Sequence, residues 1–259
     1  MLGPMSIPTD ALDQAAERIA RAERVVAFTG AGCSASSGIP TYRGAGGLWT
    51  EYDPDKYANI QYFDKDPSYY WRFFRDVRYP ALAEAHPNAA HDCLAAWQKR
   101  GTLSHLITQN IDGLHQEAGS PDVIELHGNT RRYYCRGCGA RYRLSQVKQL
   151  LDEALPPPCP ACQGSIRPDV VFFGEGLSED VLRAALQAAR DADLMLVVGS
   201  SLVVQPAASL PVITLEHGGE VIIVNVGETP LDRVAQLTFD ADAAELLPEL
   251  DRRLRERDA

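Results

Sequence analysis

Short apolar runs alternate along this chain with longer segments that are apolar on one face only. The runs are aliphatic and β-branched and end at polar or glycine-rich stretches, which is typical of strands buried on both faces of a parallel sheet. Their alternation with helices predicts an α/β fold, in which a parallel sheet carries helices on both faces. The predicted strands cover residues 24–28, 103–108, 123–126, 169–173, 194–198 and 220–226.

The predicted helices have an apolar stripe at helical spacing or a recognisable start and end. The first begins at Thr9 or Asp10, either of which can cap it, and ends near residue 22 after a loose start at residues 1–8. A second spans 87–100 with Pro87 in its first turn. Others are predicted at 178–190, shortly after Pro206, and at 243–255.

Residues 45–86 break this rhythm because they are rich in aromatic and charged residues and show no strand alternation. We predict helical pieces and loops that cover a binding site and include a mobile segment. Most of the aromatic side chains are expected to form the core of a small helical layer.

A glycine-rich turn at residues 29–44 directly follows the first predicted strand. Glycines let a backbone approach a ligand closely, and the next helix presents unpaired N–H groups to a phosphate. The spacing is not that of G-x-G-x-x-G, so the glycines alone fit a tight structural turn equally well. Tyr42 and Arg43 follow at once and add an aromatic lid and a charged clamp, which favours ligand binding.

Polar residues also follow two later strands. Gln109, Asn110 and Asp112 come after the strand predicted at 103–108, and His127 comes after the one at 123–126. Ligands bind outside the carboxyl ends of strands in open α/β sheets. These positions are therefore candidate ligand-binding residues.

Composition narrows the classes of function. The chain has 259 residues, of which 45% are hydrophobic and 23% charged, and its net charge of -10 argues against a nucleic-acid-binding protein. The longest apolar run, 194–198, is too short to cross a membrane, and the N-terminal residues lack a signal-peptide pattern. We expect a cytoplasmic protein with neither membrane nor nucleic acid as a partner.

Four of the six cysteines form two C-x-x-C pairs, separated by residues 139–158. Cys135, Cys138, Cys159 and Cys162 supply the four thiolates of a tetrahedral structural zinc site and leave no open position for water. Basic residues surround the pairs, so a zinc ribbon that touches nucleic acid is an alternative. The acidic chain around them favours a solvated surface instead.

Several separate motifs, in this order, resemble the sirtuin family of NAD-dependent protein-lysine deacylases. The resemblance runs from residue 24 to the last helix and is strongest to the bacterial and archaeal deacetylase branch. The motifs are GAGCSASSGIPTYRG (30–44), TQNIDGLH (108–115), ELHG (125–128), both C-x-x-C pairs, PDVVFFGE (168–175), GSSLVVQP (199–206) and VNVGET (224–229).

The resemblance implies a division of the chain into domains. A Rossmann-like NAD-binding domain would comprise residues 1–44, 87–129 and 166–259. A smaller domain would combine a helical cofactor-loop module at 45–86 with a zinc-binding module at 130–165.

The resemblance also implies which residues hold NAD. Tyr42, where most members have Phe, would sit against the nicotinamide ribose, and Gln109 would hydrogen-bond that ribose. The implied cofactor-binding residues are Gly30, Ala31, Gly32, Ala35, Tyr42, Arg43, Gln109, Asn110, Ile111, Asp112, Gly199, Ser200, Ser201, Asn225 and Asp242.

The implied reaction transfers the acyl group of an acyl-lysine to ADP-ribose and releases nicotinamide and the free lysine. Asn110, Ile111 and Asp112 would form the nicotinamide pocket, and His127 would be the general base toward a ribose hydroxyl. The implied catalytic residues are His127, Asn110 and Asp112. Protein ADP-ribosyl transfer, NAD hydrolysis, a non-enzymatic NAD sensor and a zinc-ribbon binding protein remain alternatives.

Acetylated-lysine protein substrates would bind as an extended strand beside 170–173 and 202–204. Family members that prefer succinyl or malonyl groups carry a Tyr-x-x-Arg pair, whereas the plausible registers here place Phe73 and Asp76, or Phe74 and Val77, at those positions. We therefore expect uncharged acyl groups, acetyl first. The implied peptide-bordering residues are Val171, Phe172, Gly174, Glu175, Leu202 and Val203.

Cys33 lies inside the glycine-rich turn, where the family often has Ile. We expect it to be a small apolar packing residue. The alternative is an oxidant sensor, since a thiol at a helix N-terminus can have a lowered pKa.

Overall fold

The computed structural model describes residues 9–44 and 46–258. The loose start predicted at residues 1–8 lies outside this range. The strands of the described chain are β1 (Val25–Thr29), β2 (His105–Thr108), β3 (Ile124–Glu125), β4 (Gly128–Cys135), β5 (Arg141–Arg143), β6 (Ile166–Val170), β7 (Leu194–Val198), β8 (Glu220–Val224) and β9 (Leu237–Phe239).

Helices connect most of these strands. Those described are α1 (Thr9–Arg21), α2 (Pro54–Tyr57), α3 (Ile60–Lys65), α4 (Ser68–Phe73), α5 (Tyr79–Glu84), α6 (Ala89–Lys99), α7 (Leu114–Glu117), α8 (Leu144–Glu153), α9 (Glu179–Asp191), α10 (Leu210–Glu216) and α11 (Ala243–Asp258). Short 3₁₀ turns precede α2 and α10 and form the glycine-rich segment Ala31–Ser37.

Six parallel strands form the larger sheet in the order β3-β2-β1-β7-β8-β9. The central strands β1 and β7 are buried over their whole length, and Phe28 pairs with Ile107 on one side and Val197 on the other. This confirms the predicted fold class. The edge strand β9 was not predicted, because three residues are too few to show a strand pattern.

The two faces of this sheet bury separate cores because successive strand residues point to opposite faces. Ala27 of β1 packs with α1, α6 and α11, where Trp97 and Leu250 are fully buried. Phe28 packs on the other side with α9 and α10. The small side chain of Ala185 allows α9 to approach the sheet closely. The predicted helices on both faces are therefore present.

One predicted helix start is wrong. The second helix was expected to begin at Pro87, but α6 begins at Ala89. Asn88 caps it by accepting a hydrogen bond from the Ala90 amide at 2.9 Å, so Pro87 lies outside the helix. An Asn cap satisfies a free N–H of the first turn, which proline at that point does not.

Three antiparallel strands form a smaller sheet in the order β5-β4-β6. The strand predicted at 169–173 as part of the α/β rhythm is instead β6, which begins at Ile166 and pairs with β4. The apolar run after Asp169 predicts a strand in this region. The sheet to which that strand belongs is known only from its pairing partner. The division into domains stays a prediction.

An aromatic core joins the helices of residues 46–86 to the smaller sheet. Trp71 and Phe74 are buried against Tyr133 of β4, with ring centroids 5.9 and 6.1 Å away. A π-helical turn, Phe74–Arg78, lies between α4 and α5. The expectation of a small helical layer with an aromatic core agrees with these contacts.

The helices within 9–44 and 46–258 include none that is both long and apolar enough to cross a membrane.

Candidate active site and metal centre

A cavity of about 1100 Å³ lies at the carboxyl ends of β1, β2, β7 and β8, where the segments that follow these strands form one wall. The opposite wall comes from residues 49–78 and 170–177. Every sequence-predicted cofactor, catalytic and peptide residue lines it except Asp112, which is 3% exposed and lies beneath its surface. The structure therefore brings these separate motifs together.

Backbone-to-backbone contact builds the glycine-rich end of the cavity. The Gly30 amide donates to the Val198 carbonyl at 2.9 Å, and the Gly32 amide donates to the Gly199 carbonyl at 2.8 Å. Gly199 has φ +61°, and a Cβ placed there would lie 2.1 Å from the Cys33 nitrogen. The glycines thus hold two strand ends closer than any other residue allows.

A buried hydrogen-bond network ties Asn110 and Asp112 to the glycine-rich turn. The Asn110 side-chain amide donates to the Gly30 carbonyl and to Ser34 Oγ, both at 3.0 Å. Ser34 Oγ in turn donates to Asp112 Oδ2 at 2.8 Å, and the Leu114 amide donates to Asp112 Oδ1 at 2.9 Å. Both side chains therefore have a defined orientation.

Two histidines lie under this network. His115 is 1% exposed and its Nε2 is 2.9 Å from Thr29 Oγ1, while His91 Nε2 is 3.3 Å from Ser34 Oγ. Burial lowers the pKa of His115 well below its usual value and also lowers the pKa of His91. Both are thus neutral scaffold residues at neutral pH, and His91 has no motif in the sequence that pointed to this role.

His127 lies in the turn between β3 and β4, where the chain passes from the larger sheet to the smaller one. Its Nδ1 is 3.0 Å from the Gln109 carbonyl oxygen, and its own carbonyl accepts from the Val171 amide. A carbonyl only accepts, so Nδ1 carries the proton and Nε2 keeps a free lone pair. Burial lowers the pKa of His127, an effect that the Gln109 carbonyl partly opposes.

The predicted ribose and adenosine residues are tied to one another. Gln109 Nε2 donates to Ser200 Oγ at 2.8 Å. Asp242 precedes α11, accepts from the Ala244 amide at 2.8 Å and also from Ser36 Oγ. Asp242 therefore stabilises the start of this helix as well as lining the cavity.

Trp49 and Phe73, which the sequence did not assign to the site, line the opposite wall beside the predicted Tyr42. The Tyr42 and Trp49 ring centroids lie 5.1 Å apart, and Phe73 lies 6.1 Å from Trp49. The Tyr42 hydroxyl accepts a hydrogen bond from Arg78 Nη1. Only the aromatic richness of residues 45–86 could have indicated this wall.

A cleft at the mouth of the cavity contains the predicted peptide-bordering residues. Phe173 and Val203 are exposed apolar side chains there, at 37% and 51%. In the described part of the chain, the Gly174 amide and the Val203 backbone make no hydrogen bond. Glu175 lines the cavity as well, and it holds this segment in place because it pairs with Arg167 at 2.8 Å and accepts from the Phe172 amide.

The four predicted zinc ligands meet at one point, with their sulfur atoms all within 4.8 Å of one another. Cys135 and Cys162 sulfurs are 3.5 Å apart, and Cys138 and Cys159 sulfurs 3.7 Å. A tetrahedral ion with Zn–S bonds of about 2.3 Å requires sulfur atoms about 3.8 Å apart, so the set fits zinc. The Tyr142 hydroxyl lies 2.9 Å from the Cys159 sulfur and lowers the pKa of that thiol to about 6.

Cys33 is 1% exposed, and burial raises the pKa of its thiol. This is the opposite direction from that of a reactive thiolate. The position supports the packing role expected for Cys33 and gives no support to the sensor alternative.

The fold and the site together define a class of protein. A parallel α/β sheet presents a glycine-lined cavity at its strand ends, a histidine with a fixed tautomer faces that cavity, and a four-cysteine module supports the opposite wall. The Sir2 family model matches residues 30–206, and the chain belongs to this family.

Curated relatives match along most of the chain. The NAD-dependent protein deacetylase of Sulfurisphaera tokodaii is 48% identical over 237 residues, which cover 91% of this chain and 93% of that protein. The NAD-dependent protein deacylase of Thermococcus kodakarensis is 45% identical and covers 95% and 96%.

Solved structures of Sir2 proteins are also similar to this chain. A Sir2 mutant with deacetylated p53 peptide and 3'-O-acetyl ADP-ribose has a TM-score of 0.89 and 42% identity, covering 95% of this chain and 98% of that one. A Sir2 complex with p53 peptide and NAD+ has a TM-score of 0.85 and 42% identity, with 95% and 97% covered.

Proposed function

We propose that this protein removes acetyl groups from lysine side chains of other proteins in an NAD-dependent reaction. The observation that carries the proposal is His127, whose Nδ1 is bound to the Gln109 carbonyl so that Nε2 is free at the cavity. Membership of the Sir2 family supports the same reaction. A cytoplasmic location stays a prediction.

The residues present fit NAD as the second substrate. Gly30, Gly32 and Gly199 hold the two turns together, because a Cβ at any of them would lie less than 3 Å from the opposite turn, and their backbone lines the cavity where a dinucleotide phosphate would approach. NAD supplies the ADP-ribose that accepts the acyl group, so that acyl-lysine, NAD and water become lysine, nicotinamide and O-acyl-ADP-ribose. Gln109, Ser200, Asn225 and Asp242 would hold its ribose and adenosine parts.

His127 acts as the general base at Nε2. The pKa of the imidazole is lowered by burial, so the neutral form is the main one at neutral pH and is ready to take a proton from a ribose hydroxyl. The Nδ1–H donated to Gln109 fixes the ring orientation. Such a base typically contributes ~10²–10⁴-fold to the rate.

Asn110 and Asp112 position the nicotinamide end. Ser34 connects the two side chains, so a shift of one moves the other. Asn110 lines the cavity and can contact the ligand directly. Asp112 already accepts hydrogen bonds from Ser34 and Leu114 and orients this loop from below.

The substrate peptide binds as an added strand between the segments at 171–174 and 202–204. The free backbone groups of Gly174 and Val203 would pair with its main chain, while Phe173 and Val203 contact its side chains. Backbone pairing recognises shape more than sequence, so we expect broad tolerance. Related Sir2 structures contain a deacetylated p53 peptide or a propionylated peptide, which supports a peptide substrate.

Zinc has a structural role in this proposal. Cys135, Cys138, Cys159 and Cys162 would complete its tetrahedral shell and leave no position for a substrate. Its binding would stabilise the smaller sheet, which forms part of the cavity wall.

The test is mass spectrometry of an acetyl-lysine peptide incubated with the protein, with and without NAD, in parallel with His127→Ala. We expect NAD-dependent deacetylation and acetylated ADP-ribose with the wild type and a loss of both in the variant. NAD consumption with the peptide unchanged would overturn the proposal in favour of NAD hydrolysis. A peptide that gains ADP-ribose would favour the transferase alternative.

A further inference from the structure

The loop that carries Asp112 is also held from the smaller sheet. The Ile111 carbonyl accepts two hydrogen bonds from Thr130 of β4, one from its amide at 2.8 Å and one from its Oγ1 at 2.6 Å. The Asp112 carbonyl accepts from Arg131 Nε at 2.7 Å. Two successive carbonyls of the loop are therefore bound by two successive residues of β4.

A bulge in β4 makes these contacts possible. Asn129 pairs with Asp169 of β6, and Tyr133 pairs with Pro168, which is the adjacent residue on that strand, so residues 130–132 bulge out of the ladder. Bulges change the direction of side chains and are frequent beside active sites. Here the bulge lets the strand donate to the loop of the larger sheet instead of to β6.

Arg131 lies directly against the backbone of the loop. A Cβ at Gly113 would lie 2.9 Å from both Cδ and Nε of Arg131. Arg131 Nη2 also pairs with Glu117 Oε2 of α7 at 2.8 Å, and 36% and 34% of the two side chains are exposed. An exposed ion pair of this kind contributes little stability by itself. Its effect here is to hold the guanidinium so that Nε faces the Asp112 carbonyl.

The loop is thus held from two sides that belong to different sheets. On the side of the larger sheet, Ser34 donates to the Asp112 carboxylate. On the side of the smaller sheet, Arg131 donates to the carbonyl of the same residue, and Thr130 fixes Ile111, which lines the cavity. A loop that is already ordered loses less conformational freedom when it binds a ligand, so it binds that ligand more tightly.

We propose that Arg131, together with Thr130, is a positioning residue for the nicotinamide group, because it holds the loop 110–113 in the conformation that binds this group. The inference rests on the proposed function, in which residues 110–112 form the nicotinamide pocket. Both residues act through the main chain of the loop and not on the reacting atoms. Since β4 ends at the zinc ligand Cys135, the zinc-binding module contributes in this way to the affinity for nicotinamide.

The experiment compares the zinc-loaded wild type with Arg131→Met, which keeps the apolar stem of the side chain and removes its donors. In the deacetylation assay we expect kcat/KM for NAD to fall about 10-fold and the inhibition constant of added nicotinamide to rise about 10-fold, since hydrogen bonds from charged donors contribute about that factor or more. The KM for the acetyl-lysine peptide and the zinc content should not change.

Two further variants sharpen the comparison. Thr130→Val removes one of the two donors to Ile111 and keeps the amide, so both constants should change in the same direction by only about 3-fold. Arg141→Met is the matched control, because it removes an exposed arginine from β5 of the same sheet, and it should leave both constants unchanged.

An unchanged inhibition constant for nicotinamide in Arg131→Met would overturn the inference, because Arg131 would then be only a surface ion-pair partner. Loss of zinc, or an equal rise in the KM for the peptide, would also overturn it in favour of a general structural role. Absence of turnover in the wild type would overturn the proposed function instead. In that case calorimetry decides the inference: weaker binding of NAD with unchanged binding of ADP-ribose in Arg131→Met supports it, and any other pattern overturns it.

Discussion

The two walls of the cavity are built in different ways. The wall on the larger sheet consists of backbone turns that directly follow strands, such as Gly30 after β1 and Gly199 after β7, and these contact each other through main-chain atoms. The opposite wall consists of side chains, such as Trp49, Phe73 and Arg78, that come from short helices and a π-helical turn. The first wall requires glycines because a side chain would push the two turns apart. The second wall is formed by the side chains themselves.

This difference affects how the two walls should respond to substitution. A wall of main-chain contacts tolerates no side chain and suits a ligand that is always the same. A wall of aromatic side chains around one arginine can be changed residue by residue without disturbing the sheet. Substitutions on the two walls should therefore have different kinds of effect.

Removal of zinc is expected to have the largest effect on stability, and this effect should be confined to the wall that contains the smaller sheet. Structural zinc contributes about 10–16 kcal/mol in isolated zinc-finger peptides, so chelation should unfold the region around β4 to β6. Hydrogen exchange should show lost protection at 128–170 and retained protection at β7. Cys93→Ser, a buried cysteine outside the cluster, should keep one zinc per chain. Equal loss of protection in both sheets would contradict a separate stabilisation of the smaller one.

Gly199→Ala tests the main-chain wall. Gly199 has φ +61°, and the Cβ of an alanine there would lie 2.1 Å from the Cys33 nitrogen. The two turns would therefore have to move apart. We expect a loss of more than about 2 kcal/mol in the free energy of unfolding, measured by urea denaturation, with weaker NAD binding. Gly176→Ala is the matched control, since a Cβ there meets no atom within 4 Å. Similar values for the two variants would show that the close approach of the turns is not required.

His127→Ala tests the chemistry between the walls. We expect kcat to fall by ~10²–10⁴-fold with little change in NAD binding, measured by calorimetry. The exposed His105→Ala is the control and should retain full activity.

The pH profile of the wild type sharpens this test. The active form of His127 is neutral, and burial lowers its pKa from the usual value near 6.5. Activity should therefore be present at neutral pH and fall only as the pH drops through a value below 6.5. A loss of activity beginning above that value would mean that another group controls it.

Tyr42→Phe should have the smallest effect and act on the side-chain wall. It removes the hydroxyl bonded to Arg78 and keeps the ring in its tilted contact with Trp49. The donor is a charged guanidinium, and such hydrogen bonds contribute about 1.5–3 kcal/mol, so thermal unfolding should shift by about 3–12 °C. A collapse of NAD binding in this variant would show that the loop depends on the Tyr42–Arg78 contact.

Residues close to strand ends were predictable because each has a local signature. Gln109, Asn110 and His127 follow recognisable strands, and the cavity brings them to one edge of the sheet as parallel strands require. The zinc ligands were predictable as well, because two C-x-x-C pairs are typical of a structural zinc site. The predicted family is confirmed by the match to the Sir2 model.

Other features had no local signature. The pairing of Glu175 with Arg167 was not predicted, and β6 was expected in the larger sheet but pairs with β4. His91 forms part of the buried network without any motif. In each case the partner lies in another element, and nothing in the residue's own neighbourhood identifies it.

The sequence by itself determined the parallel sheet, the glycine-rich turn, the zinc ligands and the candidate base. Each of these features has a signature that spans only a few residues, such as an apolar run, a cluster of glycines or a pair of cysteines. Only the tertiary structure decided the sheet to which β6 belongs, the burial of Asp112 beneath the cavity and the presence of Arg78 in its wall. Strand pairing depends on contacts between distant segments, and so does the set of side chains that meets at the cavity. They therefore become visible only when those segments are in contact.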